Sequence, residues 1–130
     1  LAQLQYYQGE IHFKTGNYHQ AKISFQASLA NAQATQWLRL TFLIQNWLAD
    51  VAIATKHNLN EAETSLMNGL QVAESQQDQT RIAYYKRSMA ELGQARGRFH
   101  EAHRWASEAF RTFEKIGMYP EAEETQQLLQ

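Results

Sequence analysis

Three stretches of the chain read alike. The first is Gly16-Asn17-Tyr18-His19-Gln20-Ala21, followed by Phe25, Ser28 and Leu29. The second is His57-Asn58-Leu59-Asn60-Glu61-Ala62, followed by Leu66, Gly69 and Leu70. The third is Gly97-Arg98-Phe99-His100-Glu101-Ala102, followed by Ala106, Ala109 and Phe110. They align without gaps, and the anchoring alanines Ala21, Ala62 and Ala102 stand 41 and 40 residues apart. In each, a break is followed by small and apolar residues at i, i+4, i+7 and i+8, the spacing of one helix face. A period of this size marks a helical-repeat chain. Each repeat is expected to be a pair of antiparallel helices that cannot bury its apolar face without a neighbour.

Outward from these anchors, apolar spacing predicts seven helical stretches: 2–14, 18–34, 36–56, 60–76, 79–96, 100–116 and 119–130. Gly16 suits a left-handed helix end, Gly97 closes the fifth stretch, and Pro120 fits the first turn of the last. The third stretch carries Trp37, Leu40, Leu43, Ile44, Trp47, Leu48, Val51 and Ala52 around most of its circumference, so it is expected to be the most buried. One proline and six glycines leave little punctuation in a chain rich in Ala, Gln, Leu and Glu, residues that lose little entropy in a helix. The fold class is therefore all-α. A single domain is expected over 1–130, with repeats at about 1–34, 36–76 and 79–116 and a final helix at 119–130. The chain opens on Leu1 rather than Met, and is expected to be a segment of a longer protein.

The recurring order is small residue, Gly or Asn, aromatic, two polar residues, Ala, three residues, large apolar, two residues, small, Leu. It resembles the second half of a tetratricopeptide repeat (TPR), and Gly9 falls where that family has its first-helix glycine. The resemblance covers residues 1 to about 116. It departs from the family in the long period of 40–41 against the usual 34, and in Asp50 and Ala90, which replace the first-helix glycine in repeats two and three. The long period and the run Phe113-Glu114-Lys115-Ile116-Gly117 before Glu121-Ala122 resemble repeats attached to bacterial multidomain regulators and signalling ATPases. The resemblance implies a right-handed α-solenoid that binds a protein or peptide in a concave groove lined by first helices. Its function would be protein–protein interaction, as a scaffold or the sensing arm of a larger regulator. The alternative is a receptor domain for a short signalling peptide that controls an attached regulatory domain. Carried over position by position, the groove would be lined by Tyr6, Trp47 and Arg87, by Gln3, Ile44 and Tyr84, and by Glu10, Val51 and Glu91. Trp47 admits a second reading as core, because its helix is apolar all round. The family's clamp for a terminal carboxylate needs Lys and Asn where this chain has Tyr6 and Glu10, so that specialisation is not expected.

Chemistry of other kinds finds no constellation. The chain has no cysteine, which excludes disulfides, thiolate zinc sites and cysteine nucleophiles. His100 and His103 lie three apart with Glu101 between them, one residue short of the zinc-protease spacing and without a third ligand. Gly93 and Gly97 are not followed by the lysine of a phosphate loop, and there is no Gly-x-Ser-x-Gly elbow. No enzymatic activity, metal or cofactor is expected. No run reaches the roughly 18 apolar residues of a membrane span, and no signal-type start is present, so a cytoplasmic setting without membrane contact is expected. Twelve Lys and Arg against thirteen Asp and Glu give a net charge of -1, which does not favour nucleic acid. From Arg81 to Lys115, however, eight basic residues face four acids. They form either a basic patch for an acidic partner or a solvated face laced with pairs such as Glu101–Arg104 and Glu108–Arg111. Leu1, Leu4, Leu128 and Leu129 leave apolar ends, from which self-association is expected.

Overall fold

One turn, used six times, builds this molecule. A computed structural model describes all 130 residues. It contains α1 (Ala2–Lys14), α2 (Tyr18–Ala34), α3 (Leu38–Thr55), α4 (Leu59–Ser75), α5 (Gln79–Ala95), α6 (Phe99–Lys115) and α7 (Tyr119–Gln126), with a 3-10 turn at Gln127–Leu129 and no strand. The all-α class and the seven helices are as the sequence predicts. At every junction one residue takes a left-handed backbone: Gly16, Gln36, Lys56, Gln77, Gly97 and Gly117. The amide of that residue donates three residues back, as from Gly16 to Phe13 or Gln77 to Glu74 (both 3.1 Å). The next amide donates five residues back, as from Asn17 to His12 (2.8 Å) or Asp78 to Ala73 (3.0 Å). These are the two bonds of a Schellman closure, which satisfy the last carbonyls of the helix and reverse the chain.

The left-handed positions recur every 20 residues except between Lys56 and Gln77, where the interval is 21. The extra residue falls between the left-handed Lys56 and the helix-starting Asn58, which is itself left-handed (φ 58°). It accounts for the 41-residue spacing from Ala21 to Ala62, against 40 from Ala62 to Ala102. The repeat is thus two 20-residue helix–turn units, and one turn carries an insertion.

Contacts divide the chain into two compact units, 1–62 and 63–130. In the first, α1 packs along α2, and α2 along α3, over a core of Ala2, Ala21, Phe25, Ala32, Leu40, Ile44 and Val51. Gly9 is required by close approach, since a Cβ there would lie 2.7 Å from the Phe25 ring. Ser28 Oγ donates to the carbonyl of Ala2 (2.6 Å), which ties the N-terminal residues to α2. In the second unit, α5 packs along α6 and α6 against α7, over Ala83, Ala109, Phe113 and Ala122. Within this unit Gly69 of α4 faces Tyr85 of α5, whose ring occupies the space a Cβ would need. Gly93 leaves room for Ala102 in the same way, at 2.9 Å. The three anchoring alanines are all buried.

Two boundaries differ from the sequence reading by more than one residue. The third helix starts at Leu38 rather than residue 36, because Gln36 is the left-handed residue of its turn and Trp37 the extended one after it. The last helix does not run to residue 130. It tightens after Gln126 into a 3-10 turn, a common helix ending, and half-buries Leu128 and Leu129 against α6.

Candidate functional site

The groove positions proposed from the sequence fall into two clusters, one in each unit. In unit 1–62, Tyr6 on α1 and Trp47 on α3 are joined by a hydrogen bond from Trp47 Nε1–H to the Tyr6 hydroxyl (3.0 Å). Trp47 stacks on Phe25 (5.6 Å between centroids, 16° between planes) and meets Phe13 edge-on (5.0 Å). The Trp47 ring thus closes the core with its face, while the residue keeps some exposure. Gln3 is exposed and donates to the Tyr7 hydroxyl (3.3 Å), and Glu10 pairs with Lys14 (3.4 Å). Ile44 and Val51 are corrections. Ile44 is wholly buried and Val51 nearly so, and neither can line a groove. Both belong to the buried core that contains Phe25, whereas Tyr6 packs against that core from its edge and stays partly accessible.

In unit 63–130, Tyr84, Arg87 and Glu91 come together on α5. Tyr84 packs edge-on against Phe113 (5.2 Å). The Arg87 guanidinium lies 5.1 Å from the Tyr84 centroid and 5.8 Å from that of Phe113, within cation–π range. It also pairs with Glu91 (3.8 Å) and with Glu124 of α7 (3.4 Å). Arg87 is thus engaged by two rings and two carboxylates, and only 19% of its side chain is exposed. Burial pushes the Glu91 carboxyl above its ordinary value; Arg87 opposes this shift and Glu124 adds to it.

The basic stretch resolves into two sets. Lys86 pairs with Glu108 across α5 and α6 (3.0 Å), Arg81 with Asp78 (3.8 Å), and Arg96 with Glu63 (2.8 Å). The Glu101–Arg104 and Glu108–Arg111 pairs that spacing offers along α6 do not form, and Glu108 turns to Lys86 instead. Arg98, Arg104, Arg111 and Lys115 are exposed and make no ion pair. His100 and His103 are exposed on the same helix. No group of three or more His, Asp or Glu side chains is gathered as a metal site. No helix is long and apolar enough to cross a membrane.

Sequence reasoning named Leu1 and Leu4 as an apolar end but missed Tyr7 and Ile11, which extend them into an exposed stripe along α1. Leu1, Leu4, Tyr7 and Ile11 are 81%, 57%, 51% and 62% exposed. Beside it, a depression of about 290 Å³ is lined by residues including Leu1, Asn31, Ala34 and Trp37. Spacing alone marks these side chains as apolar and on one face, and could have found the stripe. Comparison of the chain with protein-family models, with curated proteins and with solved structures returns no match.

Proposed function

We propose that the chain is a protein–protein interaction module of TPR-like repeats, serving as a scaffold or as the sensing arm of a larger regulator in the cytoplasm. It works by binding a peptide or helix and has no chemistry of its own. The observation that carries this reading is the pair of clusters Tyr6–Trp47 and Tyr84–Arg87, partly exposed on first helices, with Tyr6, Trp47 and Arg87 at one repeat position and Tyr84 at the neighbouring one. Tyr, Trp and Arg concentrate binding energy because they offer large contact area and directed donors at small entropic cost. Here the rings are also held in place by packing, so little ordering remains to be lost on binding.

The test is selection of ligands from a random peptide library, followed by substitution. Tyr6→Ala and Tyr84→Ala should each weaken the selected peptides by about tenfold or more per folded molecule. Peptides that bind both variants as tightly as the parent chain would overturn the reading. Self-association belongs to the same proposal, and the exposed stripe Leu1, Leu4, Tyr7 and Ile11 supports it. Monomeric soluble proteins seldom leave such contiguous apolar faces uncovered.

A further inference from the structure

α6 is two-faced. Ala102, Ala106, Ala109 and Phe113, at intervals of 4, 3 and 4 residues, are buried in the unit formed by residues 63–130. The opposite face carries His100, Arg104, Arg111 and Lys115 at intervals of 4, 7 and 4, all exposed, with Ser107 between them. At 100° per residue these four lie within about 60° of one another, along about 22 Å of helix. Arg98 stands exposed at the N-terminal end. None of Arg98, Arg104, Arg111 and Lys115 has an acidic partner, whereas every basic residue of α5 has one. The Arg104 guanidinium lies 5.3 Å from the Trp105 ring centroid, which steadies a side chain that would otherwise be mobile.

We infer that the outward face of α6 docks an acidic helix whose carboxylates recur at i, i+4, i+11 and i+15. Two helices packed side by side share the same rise per residue, so such carboxylates stand opposite His100, Arg104, Arg111 and Lys115 in turn. The 4-7-4 spacing is the same in both directions, so a parallel or an antiparallel helix satisfies it. The forked guanidinium groups of Arg104 and Arg111 suit two-point hydrogen bonding to carboxylates. Charge elsewhere favours a short acidic segment over a long polyanion. Between Glu63 and Gln130 ten acids outnumber eight basic residues, and Glu123 and Glu124 of α7 are exposed in the same unit. A nucleic-acid duplex or an anionic membrane would meet those acids, while a single helix laid along α6 covers the stripe and meets only the acids of α6 that flank it, Glu101, Glu108 and Glu114. This face is distinct from the Tyr84–Arg87 cluster and acts independently of it.

The test uses the whole 130-residue chain and two labelled, alanine-based helical peptides, each of about 20 residues, long enough to span the stripe. One carries four Glu in the matching register, and the other carries the same four Glu distributed around the helix. Fluorescence anisotropy at low ionic strength should show the matched peptide binding about tenfold more tightly, a gap that closes as salt is added. Arg104→Glu with Arg111→Glu should abolish that preference, and Arg104→Gln with Arg111→Gln should weaken it should the reversal disturb folding. Lys22→Glu with Arg39→Glu, the same charge change at exposed sites in residues 1–62, should leave it intact. Equal binding of the two peptides overturns the inference. So does unchanged binding after the reversal, or tighter binding of a short DNA duplex or of phosphatidylserine vesicles than of the matched peptide.

Discussion

Gln36, Lys56, Asn58 and Gln77 hold φ between 53° and 58°, a region in which an L side chain crowds its own carbonyl. The other three turns use glycine at this position, with φ of 73° to 82°. The cost of a side chain there is about 1–2 kcal/mol, partly offset by the entropy that glycine would lose on folding. Gln77→Gly should therefore stabilise the chain by up to about 1 kcal/mol, read as a raised thermal midpoint. A lowered midpoint would mean that the glutamine side chain makes a compensating contact. One residue further on, Asp78 is the cap of α5, with Oδ1 accepting the Arg81 amide (3.2 Å). Asp78→Ala should cost about 1 kcal/mol through the lost cap. It also removes the 3.8 Å pairing with Arg81, a nearly buried residue, so the measured loss should exceed that of an ordinary surface cap.

At the scale of elements, the hairpin of α5 and α6 is set by how closely the helices approach. Alanine is the better helix former by about 1 kcal/mol, so Gly93→Ala would stabilise an isolated α5. In the folded hairpin its Cβ would lie 2.9 Å from Ala102 Cβ and 3.2 Å from Ala102 Cα. Backbone cannot yield as a flexible side chain does, so the crowding wins, and we expect a net loss of about 1–3 kcal/mol in chemical denaturation. Electrostatics act on the same element through Glu91. Its carboxyl titrates above the usual 4.5 because burial disfavours the anion more than Arg87 favours it. The folded chain then holds a proton that the unfolded chain has released, so this group's contribution is fully present below the ordinary carboxylate range. It is lost as pH rises through the raised value. Glu91→Gln removes that loss. The variant should melt higher than the parent at pH 7, and the difference should shrink in acid; a variant that melts lower at pH 7 would show that the pairing with Arg87 outweighs burial.

For the whole molecule, the exposed stripe on α1 sets the expected behaviour in solution. Leu4 and Ile11 stand on one exposed helix face with nothing covering them. Sedimentation should show reversible self-association that strengthens with concentration, and Leu4→Glu with Ile11→Glu should shift the chain to monomer without lowering its thermal midpoint. A pure monomer at high concentration would remove this contact from the proposed function.

The sequence by itself determined what depends on near neighbours in the chain. Helical period, the glycine turns at 16, 97 and 117, and the small residues Ala21, Ala62 and Ala102 are local signals, because a helix end or a close contact tolerates few residue types. It did not reveal Gln36 and Gln77 as left-handed, since glutamine occupies that conformation only when the flanking helices hold it there. Nor could it separate Tyr6, partly accessible, from Ile44, enclosed, at neighbouring groove positions, because burial depends on which side of each helix meets the core. Tertiary structure alone decided the fate of the charges. Spacing offered Glu108 an arginine three residues away on its own helix, but α5 presents Lys86 at 3.0 Å, and that choice leaves Arg104 and Arg111 facing outward without a partner.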